Sequence, residues 1–419
     1  IGTAGATKLM GKPSSTLVGK ITQGRFLGVS GTLKWVYDGF LAGTANIAQP
    51  RTTIAEIDGQ LKATVIAAKN LPGNEKVEIQ PGAADALTIE LVQSVAKRYV
   101  GKLDYKYDGF LKGDVTVSGG LLDFSQLAGA SQGSVYAKKT LKNVDVLEGS
   151  TMNVTFANSA FTDFSGGINF IHKEWLKGAA TAVAGGGSSM TNGVVGDLTG
   201  TLLKTPPGGQ AKGFKYYEGG TIKSKLQAGL NVTTFDVGSQ VNWKVDDWLG
   251  GKLTLAQQST LLSADGTDSA ANLLKEKPIS HDKKVVFLPS QVGVELVNGT
   301  PAKYIGSVAA RYEDWIKGTF KIAESSGAQN FDGALTGALT KAVPLTGTPV
   351  ELQPGGSAKV HVASNVVDGI QGTLLFKYGE GTKFIEGQVA SATSSGAGIN
   401  NISGNVTGKI IAPQTLSNM

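Results

Sequence analysis

The sequence contains no cysteine, so disulfide staples and thiolate chemistry are excluded. Only three histidines occur, His172, His281 and His361, and a multi-histidine metal site would need almost all of them. Charged residues make up 17% of the 419 residues, below the roughly 25% of an ordinary globular domain. The net charge is +6, but lysines and arginines are spread along the chain instead of forming a stripe interleaved with aromatics. Nucleic-acid binding would want such a stripe, so no nucleic-acid partner is expected. No run of 18 apolar residues is present, so no membrane-spanning helix is expected. Helical periodicity is nearly absent, Ser94 to Tyr99 being the only doubtful stretch. The P-loop, H-E-x-x-H and G-x-S-x-G signatures are missing.

What the chain has in excess is glycine, 58 residues, together with Thr, Ser, Val and Ala. Such a composition favours many short strands joined by turns. The sequence YDGFLAG at Tyr37–Gly43 recurs with one change at Tyr107–Gly113. Relaxed to an aromatic, then Leu or Ile, any residue and Gly, the pattern occurs six times. Its aromatic residues are Phe40, Phe110, Trp175, Trp248, Trp315 and Phe384. The closing glycines Gly43, Gly113, Gly178, Gly251, Gly318 and Gly387 are 70, 65, 73, 67 and 69 residues apart. A fixed spacing of this kind is the mark of a repeat architecture.

Apolar residues alternate on both sides of each copy, for example Leu103/Tyr105/Tyr107 before and Val115/Val117 after. Alternation predicts half-buried strands, with the motif as the turn of a β-hairpin. The acidic residues favour the turn, and the closing Gly is expected to supply a bulge or a positive φ. Further downstream come a Gly-led apolar strand, whose Gly the fourth repeat lacks, and a strand pair around a Pro or Glu turn, absent from the sixth; a full repeat thus holds about five strand segments. The fold class expected is therefore all-β, built from six tandem repeats of 65–73 residues. Residues 31–97, 98–165, 166–239, 240–304 and 305–370 form repeats 1 to 5, and residues 371–419 form an incomplete sixth.

Residues 1–30 hold what the sixth repeat lacks. Thr7 to Tyr37 aligns with Thr348 to Tyr378 over equal length, with Pro13 on Pro354 and Gly31-Thr-Leu on Gly372-Thr-Leu. Strands from the N-terminal segment can thus complete the last repeat and remove the open edges that invite aggregation. A closed, pseudo-six-fold, propeller-like ring is the expected form. A circle of small β-domains and an outer-membrane β-barrel are the alternatives. The chain starts at Ile1, which predicts that its N-terminus has been processed or trimmed.

The motif residues carry two readings. Trp175, Trp248 and Trp315, at one motif position, with Asp247 and Asp314 beside two of them, are the candidate ligand or partner contacts. Exposed rings would stack on sugars, as in a secreted glycan-binding lectin-like propeller; wedged rings would be packing. The neighbouring Leu or Ile in every copy favours packing, and His172 stands where most copies have Tyr. The aligned carboxylates lack the dense ladder of a calcium loop. No catalytic residue, metal ligand or cofactor is predicted. The expectation is a non-enzymatic structural protein, extracellular or part of a virion. Its partners would be other proteins or further copies of itself, with a glycan the alternative. The Gly-rich stretch Gly185 to Gly213 reads as either a functional loop or an insertion.

Overall fold

The computed structural model describes residues 9–51, 59–93, 95–120, 124–184, 194–207, 213–227, 231–261, 263–326, 330–395, 399–413 and 415. The fold is all-β, 69% strand, with large antiparallel sheets. One 3-10 turn at Ile399–Asn401 is the only helical element among the described residues. No helix among them is long and apolar enough to cross a membrane. Residues 95–99 of the doubtful stretch Ser94 to Tyr99 are strand: Val95–Tyr107 alternates, burying Tyr99, Leu103, Tyr105 and Tyr107 on one face. Ser94 lies outside the described residues, as do 185–193 and 208–212 of the Gly185 to Gly213 stretch; Val194–Leu202 between them is a strand.

The chain packs as two compact units, residues 1–200 with 224–232 and residues 201–223 with 233–419. In the first, consecutive strands form an antiparallel meander. Thr16–Thr22 pairs with Arg25–Tyr37, and this with Leu41–Arg51 and then Gly59–Val65. Gly59–Val65 pairs with Leu87–Val92, which pairs with the first half of Val95–Tyr107. Between them, the short side hairpin Lys69–Leu71 and Asn74–Ile79 pairs with the second half of Val95–Tyr107. The sequence then runs through the same pairings again. Val95–Tyr107 pairs with Leu111–Gly119, then come Ala128–Val135, Thr151–Ala157 and Ala160–His172, with the side hairpin Lys139–Leu141 and Val144–Val146 on the tip of Ala160–His172. The side hairpin adds a strand, so the stretch from Arg25 to Val92 holds six segments where five are expected.

The second unit follows the same order. Gln240–Val245, Leu249–Leu255, Gly266–Leu273, Gln291–Val297 and Thr300–Ile305 pair in turn. Ser307–Tyr312, Ile316–Ser326, Asn330–Leu339, Val350–Ala363, Val366–Tyr378, Ile385–Ser395 and Ser403–Ile410 form the next sheet. The positions 97/98, 165/166 and 370/371, where repeats meet in the sequence, fall inside long strands. Each of these long strands closes one hairpin and opens the next.

The core lies on the face to which the alternating residues point. Leu87, Ile89 and Leu91 are buried with Leu61, Ala63 and Val65 on the adjoining strand. Each buried aliphatic side chain contributes about 1.5–3 kcal/mol of transfer free energy. β-branched and aromatic side chains fit this pleated, half-buried surface, which is why they outnumber straight-chain residues here.

Candidate functional site: the motif hairpins

Each motif closes one hairpin of the meander. Tyr37 lies opposite Leu41, Tyr107 opposite Leu111, His172 opposite Leu176, Val245 opposite Leu249 and Tyr312 opposite Ile316. The backbone N–H of Phe40 donates to the Tyr37 carbonyl at 3.1 Å. Phe110, Trp175 and Trp248 repeat the bond to Tyr107, His172 and Val245. The two residues spanned have positive φ: Asp38 and Gly39, Asp108 and Gly109, Lys173 and Glu174, Asp246 and Asp247. This is the mirror-image turn whose twist suits a hairpin, and Asp-Gly is its preferred sequence. The later copies hold non-glycine residues in the left-handed region, which costs each about 1–2 kcal/mol.

The aromatic side chains turn inward. Phe40, Phe110, Trp175, Trp248 and Trp315 are all buried, and so are Leu41, Leu111, Leu176, Leu249 and Ile316. The ring meets the side chain three residues before it edge to face. The centroid distances are 5.9 Å for Tyr37–Phe40 and Tyr107–Phe110, 5.2 Å for His172–Trp175 and 5.4 Å for Tyr312–Trp315. Such pairs add about 0.5–1.5 kcal/mol beyond burial. His172 therefore does what tyrosine does elsewhere. Burial holds its imidazole down at about 4, with Lys173 adding to the effect. Burial likewise pushes the phenols of Tyr105, Tyr216, Tyr304 and Tyr312 upward.

The closing glycine works differently from expectation. Gly43, Gly113, Gly178, Gly251, Gly318 and Gly387 do not have positive φ. Five of them sit opposite an aromatic residue on the preceding strand: Trp35, Tyr105, Phe170, Trp243 and Phe376. On the other side the next strand comes so close that a Cβ on Gly318 would collide with the Thr336 carbonyl oxygen, and one on Gly387 with that of Thr407. The residue met there is itself small: Ala63, Gly133, Gly200, Gly337 or Gly408. The glycine is required by close approach of strands, in five of the six copies at a position opposite an aromatic residue. Missing side chains also leave grooves at equivalent places. One of about 670 Å³ lies over Gly113 and Gly133 beside Gln80 and Pro81, and one of about 650 Å³ over Gly387 and Gly408 beside Gln353 and Pro354.

In the first, second and fifth copies lysines engage the turn carboxylates. Lys69 pairs with Asp38 at 2.9 Å and lies 4.0 Å from the Phe40 ring centroid. Lys139 pairs with Asp108 at 3.1 Å and lies over Phe110. Lys277 lies 5.0 Å over Trp248. These three lysines each follow a strand end, Val65, Val135 or Leu273, by four residues. That spacing was the readable sign of them, and the sequence reading did not use it. In the fifth copy Lys284 pairs with Glu313 at 3.0 Å, Lys341 pairs with Asp314, and the Trp315 indole donates to Glu313 at 2.7 Å. The bond to Lys341 is the main cause holding the Asp314 carboxyl below its ordinary range. Asp247 is exposed on its turn.

The structure thus puts Trp175, Trp248 and Trp315 in the core, and Asp247 and Asp314 on the outside of their turns. The Trp243 indole donates to the buried Asp268 at 2.9 Å, a further polar contact inside the core. His361 shares a hydrogen bond with Gln371, and the His281 N–H donates to the Asn365 carbonyl. No group of three or more His, Asp or Glu side chains able to hold a metal ion occurs among the described residues. Comparison of the chain with family models, with curated proteins and with solved structures found no match.

Proposed function

We propose that this chain is a non-enzymatic structural subunit of an extracellular or virion-type assembly, built on six β-repeats with the N-terminal strands completing the sixth. The observation that carries this reading is the use made of the motif. Its aromatic rings are buried in five of the six copies, and its carboxylates pair with neighbouring lysines in the first, second and fifth. What recurs along the chain is a way of building sheet, while polar positions drift. Joined to the sixth repeat within one chain, the N-terminal strands would close a pseudo-six-fold, propeller-like ring; joined between chains, they would link copies.

A glycan-binding role would need the rings of Trp175, Trp248 and Trp315 to be accessible, and their burial weighs against it. Electron microscopy of the native source, with size-exclusion chromatography of the purified chain, tests the proposal. Rings, tubes or a particle lattice containing the chain are expected. A monodisperse monomer at every concentration, absent from any particle, would overturn it.

A further inference from the structure

Two strands stand apart from all the others in the meander. Every residue of Thr16–Thr22 and of Ser403–Ile410 is exposed. Val18 is 65% exposed, Ile21 68%, Val406 63% and Ile410 74%. Elsewhere the strands in the same places are paired and buried. Ser403–Ile410 pairs with Ile385–Ser395 in the register that Gly59–Val65 keeps with its own neighbour, so Ile410 corresponds to Val65 and Val406 to Leu61. Thr16–Thr22 pairs with Arg25–Tyr37 as Leu87–Val92 does with Val95–Tyr107: Leu17 faces Gly31 as Leu87 faces Gly101.

In the first repeat these two kinds of strand lie side by side, Ala63 opposite Leu87 and Leu61 opposite Ile89. Gly133 opposite Met152, and Gly337 opposite Ala358, repeat that register. The same rule places Gly408 opposite Leu17, Thr407 opposite Val18, Val406 opposite Gly19 and Gly404 opposite Ile21. The two lysines do not meet: Lys20 falls opposite Asn405, and Lys409 opposite Thr16. Neither strand is protected as a permanent edge is. They run to 7 and 8 residues, contain no proline and carry one charge each. Natural edges meant to stay unpaired are short, charged or broken by proline.

We infer that Ser403–Ile410 of one copy pairs with Thr16–Thr22 of a second copy, with Gly408 opposite Leu17, so that copies join head to tail. The inference rests on the reading that the N-terminal strands complete the sixth repeat. It commits to a second copy because every copy carries both exposed ladders, complementary in register, so each can be covered by the opposite strand of an identical chain. Main-chain hydrogen bonds supply the affinity in such strand addition, and the side-chain register supplies specificity. Each junction also leaves one free strand of either kind at its ends, so the contact propagates until a ring or filament forms.

The absence of cysteine permits a direct test in the full-length chain. Val18→Cys and Thr407→Cys are each placed singly, and the two variants are mixed and oxidised. A disulfide-linked dimer is expected from the mixture, and a ladder of covalent multimers from the Val18→Cys/Thr407→Cys double variant. A double variant that gives only an internally linked monomer, with no dimer from the mixture, overturns pairing between copies while leaving completion of the sixth repeat intact. No link of either kind overturns completion as well. Ser403→Cys in place of Thr407→Cys, four residues out of register, should not link to Val18→Cys; equal linking there overturns the register. Both substituted sites are exposed, so folding of the variants, followed by circular dichroism, is expected to match the parent chain.

Discussion

Asn330–Leu339 and Ser403–Ile410 carry the same pattern, glycine followed by apolar residues two and six positions on, yet one is core and the other is surface. Leu335 and Leu339 are buried beneath Val350–Ala363, whereas Val406 and Ile410 face outward. The preceding hairpins differ in step. Trp315 and Ile316 are buried; Phe384 and Ile385 are only half-buried. At the head of the motif His172 is 1% exposed and Tyr378 is 37%. Burial in this meander is therefore conferred by the next strand along, and a strand paired on one side only keeps its apolar side chains in water.

Four measurements break or sharpen that contrast. Leu335→Ala is expected to cost about 2–5 kcal/mol in denaturant unfolding, the range for a truncated core leucine. Val406→Ala in the dilute monomer should stay within about 0.5 kcal/mol. Equal losses would show that the edge strand is already packed.

Next in size is the pH effect of His172. Its folded value of about 4 lies below the ordinary 6.5, so between those limits only the unfolded chain takes up the proton. Stability should fall as pH drops from about 6.5 to 4, by about 3 kcal/mol in total, and level off below. Putting tyrosine there, as in most other copies, should remove this loss; thermal melts of His172→Tyr and the parent from pH 7 to pH 4 check it. A parallel decline in both would assign it to other groups.

Gly318→Ala should cost about 1–3 kcal/mol as an overpacked contact, because the next strand is held in place on both sides. Gly387→Ala should cost less, since Ser403–Ile410 can shift away; chemical denaturation of the two variants compares them. The smallest effect concerns the turns. Glu174→Gly should stabilise by about 0.5–1 kcal/mol by relieving a left-handed residue, and Gly109→Ala should destabilise by a similar amount. Melting temperatures of the pair are sufficient to test the sign.

The strands and hairpins were legible because alternation and Asp-Gly turns are local signals that need no tertiary knowledge. Leu103/Tyr105/Tyr107 could be read directly, and so could the turn at Asp108. The tyrosine-like part played by His172 followed from its place in the motif. The role of the closing glycine was not legible, because its cause is a carbonyl of another strand some twenty residues away. Nor was the placing of Lys69 and Lys139 on the turn carboxylates legible, since each lies two strands beyond its motif turn. The expected count of strands fell short at the side hairpin, whose first strand, Lys69–Leu71, is too short for alternation to show. Stretch 94–99 looked doubtful because Lys97 and Arg98 interrupt its apolar pattern; the pairing of Leu87–Val92 with it decides the matter in favour of strand.

The meander has a consequence for the order of events during synthesis. Each described strand pairs with a neighbour a few tens of residues away at most, Gly59 opposite Leu91 being typical of the wider spans. Local pairing of this kind lets an all-β chain escape the slow search that distant strand partners impose. Hairpins can lock one after another as the polypeptide emerges. The pairing proposed between Leu17 of one copy and Gly408 of another would be the exception, since it would wait for a second finished molecule. On that proposal, folding of each chain and its joining to the next would be separated in time.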